Sequence, residues 1–226
     1  MADKAVGQHP NPGRGAARWG APPRQKRSRR TLERILDAVQ ALIEDRDFDS
    51  LAVQEIARRA GCSVGGFYGR LRDKEALLHA LDDRYVEQFA TRIEATWTRA
   101  ASEGAALPDL IRQTIATLLR FHREHRGLIR TLVLRARTKP DKQYRKREER
   151  LHALVPRFGQ LLLRRRREIH HPDPALAVRF GAVMVLLTLR ELVLWEHLAR
   201  IVPISDTRLV NELTRAFLAY LGAPGD

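Results

Sequence analysis

The chain has 226 residues, 44% of them hydrophobic, and carries 41 Lys and Arg against 27 Asp and Glu, a formal net charge of +14. That length allows one or two domains with a sizeable core, and so basic a balance points to nucleic acid ahead of an anionic membrane surface. The single cysteine, Cys62, excludes an internal disulfide framework and fits a reducing cytoplasm, the expected location.

Residues 1–23 hold four prolines, four glycines and little apolar content, too little to bury, so disorder is expected there. They also lack the continuous apolar run of a secretion signal. From Arg24 to Arg30 five of seven residues are basic, Arg27, Arg29 and Arg30 among them. Residues 1–28 are therefore read as a disordered basic arm. Such an arm either reads the width of a minor groove or adds phosphate affinity that ignores sequence.

Leu32, Ile35, Leu36, Val39, Leu42 and Ile43 then form an apolar stripe at helical spacing. A short helix is predicted over Val53–Ala60, with Ile56 and Ala60 inward and Ala57 small enough for close helix packing. Gly61 reverses the chain. Ser63 caps a second short helix from Val64 to Arg70, whose Phe67 and Leu71 face the core. Asp73 caps a third helix that begins at Lys74.

Phe48, Val53, Ile56, Ala57, Ala60, Gly61, Ser63, Gly65, Tyr68, Lys74, Glu75 and Leu77 together make residues 30–80 resemble the DNA-binding domain of the tetracycline-repressor (TetR) family of bacterial regulators. The resemblance implies an all-α chain. It has an N-terminal three-helix helix-turn-helix domain, residues 29–78, and a C-terminal helical ligand-binding and dimerisation domain, residues 79–226. It also implies that the Val64–Arg70 helix enters the major groove, that Tyr68 hydrogen-bonds a phosphate and that Lys74 contacts another. A helix N-terminus attracts anions, which agrees with the role of Lys74. Ser63, Gly65 and Gly66 complete the DNA-facing set, in which Val64 suits a thymine methyl and Arg70 a guanine edge. Two positions depart from the family. Ala52 replaces a capping Thr or Ser, at a cost of about 0.5–2 kcal/mol unless Ser50 starts the helix earlier. Gly66 replaces a frequent Thr, and with Gly65 it weakens the helix while letting backbone approach DNA closely.

Beyond Lys74, the series Leu77, Leu81, Tyr85, Phe89, Ile93, Trp97 repeats every four residues and predicts one long helix leaving the DNA-binding domain. Breaks are expected at Gly104–Pro108, Gly127, Lys139–Pro140 and His170–Pro174. Asp173-Pro174 is a helix-start signal. Ala175–Val202 is read as one helix apolar on nearly every face, and Leu209, Leu213, Phe217 and Leu221 as the stripe of another. The pair suits a four-helix bundle formed by two protomers, the way the family dimerises, with Val183, Leu186, Leu187, Leu194, Leu213 and Phe217 at the interface. Segments 107–124, 127–138 and 145–168 are then expected to enclose the family's effector pocket, with Ile111, Ile115, Leu118, Phe121, His122, Leu128, Leu132 and Met184 as candidate lining.

No metal or cofactor site is read from the sequence: His122 and His125 share a helical side but have no nearby Cys or paired carboxylate. The best apolar stretch, 175–195, is broken by Arg179, Arg190 and Glu191, so no membrane span is expected. Nor is an enzyme, since no nucleophile–base pair, phosphate-binding glycine loop or metal cluster is found. The reading is a ligand-responsive transcriptional regulator, a repressor binding double-stranded operator DNA as a homodimer and answering to an unknown small-molecule effector. The alternative is a non-specific basic nucleic-acid-binding protein without an effector.

Overall fold

A computed structural model describes residues 23–138 and 142–223, and every regular element among them is helical. In order these are α1 (Pro23–Leu42), α2 (Val53–Arg59), α3 (Val64–Tyr68), α4 (Lys74–Ser102), α5 (Leu107–Glu124), α6 (Arg126–Thr138), α7 (Lys142–His152), α8 (Leu154–Leu163), α9 (Pro174–Leu194), α10 (Glu196–Ile201) and α11 (Asp206–Leu221). The expected disorder of residues 1–22 and the break at Lys139–Pro140 lie outside the described residues. The rest of the basic run departs from expectation. Arg24–Arg30 are not an extended arm but the first turns of α1, continuing the helix that Ile35, Leu36 and Val39 anchor.

The four-residue repeat holds through α4, where Leu77, Leu81, Tyr85, Phe89, Ile93 and Trp97 are all buried. At 29 residues, α4 is about 43 Å long and runs from the DNA-binding motif into the C-terminal bundle. There α5 packs on α4 and α11, and α9 packs on α5, α6, α8 and α11. The caps are local and legible. Asp73 accepts the Ala76 N–H at 2.7 Å, Asp173 accepts the Leu176 N–H at 2.9 Å, and Gly104 takes φ +65° after α4.

Two predicted helices are each divided. Segment 145–168 becomes α7, α8 and a 3-10 turn over Arg166–Glu168. Pro156 explains the break. It has no N–H for the His152 carbonyl and its ring clashes there, which is tolerated only in the first turn of a new helix. Likewise Ala175–Val202 ends α9 at Leu194 and restarts as α10, because Trp195 leaves helical geometry (φ −118°, ψ 107°) while its indole donates to Glu191 at 2.8 Å.

Candidate nucleic-acid interface and interior cavity

The helix-turn-helix forms from short-range causes. Ile56 and Ala57 bury the inner side of α2, and Gly61 turns the chain at φ +63°, in the left-handed region that a side chain disfavours. The Ser63 hydroxyl accepts the Gly66 N–H at 2.9 Å, which starts α3, and Phe67 is fully buried. What remains outside is Ser63, Val64, Gly65 and Tyr68, with Val64 37% and Tyr68 52% exposed. Gly66 is half-buried beneath them. Gly69 ends α3 after five residues, so it is shorter than the Val64–Arg70 helix expected. Arg27, Arg29 and Arg30 are exposed on α1.

Arg70 and Lys74 are placed otherwise than expected. The Arg70 guanidinium donates to the Gly66 carbonyl at 2.7 Å and to the Ser28 carbonyl at 3.2 Å. It thereby closes the C-terminal end of α3 and ties it to α1, instead of reaching out toward a base. The Lys74 ammonium donates to the Phe48 and Asp49 carbonyls, each at 3.0 Å, and lies 5.0 Å from the Phe48 ring. Burial lowers its pKa from the ordinary lysine value, with nearby Asp49 opposing the shift. It is a brace between a 3-10 turn (Phe48–Ser50) and α4. Sequence reasoning missed Arg58 and Arg59, both exposed in the last turn of α2 beside the glycine turn. Two adjacent arginines at that point of the motif were the available signal.

The motif is bolted to the rest of the protein at three places. Arg84 of α4 donates to Asp37 at 2.6 Å and Gln40 at 2.8 Å on α1. Arg135 of α6 reaches Asp49 at 3.0 Å and Glu75 at 3.3 Å. At the α5–α6 corner, Gln40 donates to His125 Nδ1 at 2.9 Å and Glu44 accepts the Gly127 N–H at 3.1 Å. Gly127 must be glycine: a Cβ there would stand 2.1 Å from the Ile43 carbonyl oxygen.

Inside the C-terminal bundle a cavity of about 270 Å³ lies among α4, α5, α6, α7, α8 and α9. Of the expected lining residues, Ile111, Ile115, Leu118, His122 and Leu132 face it. Phe121, Leu128 and Met184 do not. Phe121 turns instead to Tyr85, Phe89 and His125, with ring centroids 5.3, 5.2 and 4.2 Å away. Leu128 is buried in the core, and Met184 is half-buried on α9 away from the void. Tyr85, Phe89 and Trp97 of α4, Arg147 of α7 and Arg190 of α9 line the cavity and were missed. The four-residue stripe of α4 marked the aromatics as core without showing that part of the core is hollow. His122 donates through Nδ1 to the Leu118 carbonyl at 2.8 Å, and burial pushes its pKa down to about 4, so the ring is neutral. Burial also pushes His125 down to about 4.

The expected interface residues divide as well. Leu194, Leu213 and Phe217 are buried within the protomer, Phe217 packing directly over Gly181. Leu186 is half-buried beside the cavity. Val183 and Leu187 are exposed and at the same time line the cavity, and they continue a seam that includes Leu176 and Phe180, the latter 54% exposed with Tyr220 of α11 at 5.6 Å.

Residues 35–81 match the model of a family described as bacterial regulatory proteins, tetR family. No curated protein matches the chain. Among solved structures, a TetR-family transcriptional regulator from Mesorhizobium loti MAFF303099 is 24% identical, covers 85% of this chain and 97% of its own, and superposes with a TM-score of 0.66. A tetR-family regulatory protein from Rhodococcus RHA1 is 18% identical, with 86% and 98% coverage and a TM-score of 0.67. The fatty acid degradation regulator FadR from Bacillus halodurans is 17% identical, with 86% and 97% coverage and a TM-score of 0.65. At these identities the likeness is one of fold.

Proposed function

We propose that this chain, whose residues 35–81 match the tetR family of bacterial regulatory proteins, is a member of that family and a repressor that binds a palindromic operator as a homodimer and lets go when a small molecule enters the interior cavity. The observation that carries this reading is the path of α4, which follows α3 in the chain, starts at Lys74 and walls the cavity with Tyr85, Phe89, Ile93 and Trp97. Any ligand that fits the cavity better in one position of α4 than in another shifts the presentation of α3 by that difference in affinity.

The DNA-facing set in this reading is Ser63, Val64, Gly65, Gly66 and Tyr68, flanked by Arg27, Arg29 and Arg30 on one side and Arg58 and Arg59 on the other. The first group approaches the groove closely; the arginines hold phosphates. Dimerisation is assigned to the outer seam of α9. Leu176, Phe180, Val183 and Leu187 recur at alternating intervals of four and three, the spacing of a helix-pairing seam, and all four are exposed in the single chain. A two-fold pair would present two α3 helices to two half-sites, as a palindrome requires. Such a protein acts in the cytoplasm, where the DNA is, and no helix among the described residues is long and apolar enough to cross a membrane.

Gel shifts in about 0.15 M salt, where charge-driven binding is screened, test the DNA reading against random competitor. Retention of a large preference for one palindromic site supports a repressor. Equal affinity for all sequences supports the non-specific alternative, which the few base-reading side chains on α3 favour. For the dimer, light scattering is expected to give twice the 25.8 kDa chain mass and Phe180→Glu to give the monomer.

A further inference from the structure

Resting on the reading of the cavity as an effector site, we infer that its ligand is a compact apolar monocarboxylate whose head group draws Arg147 away from Asp82. The cavity has two unlike ends. At one, Ile93, Trp97, Ile111, Leu154 and Phe158 offer only hydrocarbon. The polar atoms there are already used, since the Trp97 indole donates to Thr114 at 3.2 Å and the Thr114 hydroxyl donates to the Leu110 carbonyl at 2.7 Å.

At the other end stand Tyr85, Arg147 and Arg190, close enough that both guanidiniums act on the phenol. These groups are hydrogen-bond donors, which a carboxylate needs. The Tyr85 side chain is buried, and its hydroxyl has no hydrogen-bond partner among the described residues. Arg147 is 7% exposed. Its ion pair with Asp82 of α4 is 3.6 Å long, looser than a charge-assisted hydrogen bond, and Asp82 Oδ1 is buried with no partner among the described residues. Burial accordingly pushes the Asp82 carboxyl up to about 6, against the pull of Arg147. Arg147 also lies 4.0 Å from Glu148 and 4.9 Å from the Tyr144 ring, loose contacts that a better-placed acceptor would displace.

The charges on the wall select the sign of the ligand. Arg147 and Arg190 face the void, as does one carboxylate, Glu148. Glu148 pairs with His152 at 3.1 Å, and His152 is largely exposed, which places that pair at the rim. Arg190 is held by Glu191 at 3.0 Å, outside the lining. The volume, about 270 Å³, lies just under the ordinary range of small-ligand sites, ~300–1,000 Å³, so the apolar body is compact. Capture of Arg147 leaves a buried carboxylate on α4 without its cation, less than three turns after Lys74. That is an unfavourable arrangement that movement of α4 relieves.

Calorimetric titration of the full chain with decanoate, 1-naphthoate, decanol and decylamine tests this. At least one carboxylate is expected to bind about tenfold or more tightly than decanol, and the two carboxylates distinguish an alkyl from an aryl body. Arg147→Gln should abolish that advantage while leaving decanol affinity unchanged. Asp82→Asn removes the competitor and should tighten carboxylate binding about tenfold, a direction that a merely structural pair would not give. Should Arg147→Gln fail to fold, Asp82→Asn decides alone. Binding of decylamine as tight as that of the carboxylates, binding of none of the four, or an Asp82→Asn protein with unchanged or weaker carboxylate affinity overturns the inference. Carboxylate binding with the expected variant pattern but no effect on DNA affinity upholds the ligand class and sinks only the effector reading.

Discussion

Lys74 occupies a position where the helix dipole opposes a cation, the first residue of a 29-residue helix. Its two hydrogen bonds to the Phe48 and Asp49 carbonyls and its place over the Phe48 ring offset that penalty. Lys74→Gln is therefore expected to destabilise the fold by about 1–3 kcal/mol, each kcal/mol lowering Tm by roughly 2–4 °C. Scanning calorimetry checks it; an unchanged Tm with weaker DNA binding would return Lys74 to a phosphate contact alone. Ala52 is the opposite case, a helix N-cap with nothing to offer. Ser50 does not substitute for it, because its hydroxyl donates to the Asp47 carbonyl at 2.8 Å within the preceding turn. Ala52→Thr should stabilise by about 1 kcal/mol and raise Tm by roughly 2–4 °C. Glu55, committed to Arg46 at 2.6 Å, adds no reciprocal capping bond, so a much larger gain would show that this ion pair opens.

At the scale of elements, α3 is too short and too glycine-rich to hold itself. Gly65 and Gly66 each cost about 1 kcal/mol relative to alanine. Ser63 at one end and Arg70 at the other supply the missing hydrogen bonds. A Cβ on Gly65 would meet nothing closer than Ser63 Oγ at 4.0 Å, whereas on Gly66 it would press that oxygen at 3.2 Å. Gly65→Ala is thus expected to raise stability by up to about 1 kcal/mol and to lower DNA affinity severalfold; stabilisation with full affinity would remove close approach as the reason for the glycine. The caps of α3, α4 and α9 were legible in the sequence because each joins residues three apart. Arg70 and Lys74 were not, because their partners lie 42 and 26 residues away. Periodicity marked Leu213 and Phe217 as an apolar face, but it cannot say whether that face meets α9 of its own chain or of another. Pro156 was readable as a helix break, since its missing N–H falls within an otherwise continuous helical pattern. The cavity was half legible: α5 gave its residues by segment, while nothing in the sequence set Arg147 apart and Arg190 only broke an apolar stretch until folding placed both on its wall.

For the whole molecule, the interior histidines set the response to acid. His122 and His125 are each pushed from 6.5 down to about 4, so between those values the folded chain binds fewer protons than the unfolded one. Their contribution to stability is complete above pH 6.5 and is lost as pH falls toward 4. Asp82 works against them. Its carboxyl is raised from 3.8 to about 6, so the folded chain gains a proton there and gains stability as pH falls through that window. Glu44, its carboxyl also raised by burial, stands on the same side as Asp82, so the unfolded state is ahead by at most about one proton near pH 5, a loss of up to about 1.4 kcal/mol for each unit of acidification. His125 makes the loss structural, because its ring joins Gln40 of α1 to Phe121 and Tyr85 around the cavity, and its Nε2 is buried without a partner among the described residues. A charge on that ring would loosen the joint between the DNA-binding motif and the bundle. Thermal melts from pH 7 to pH 4.5 are expected to show Tm falling steadily, and His122→Gln should flatten the fall by removing one of the two protons at issue. If the variant melts with the same slope as the parent, the acid response belongs to surface carboxylates and the buried histidines play no part in it.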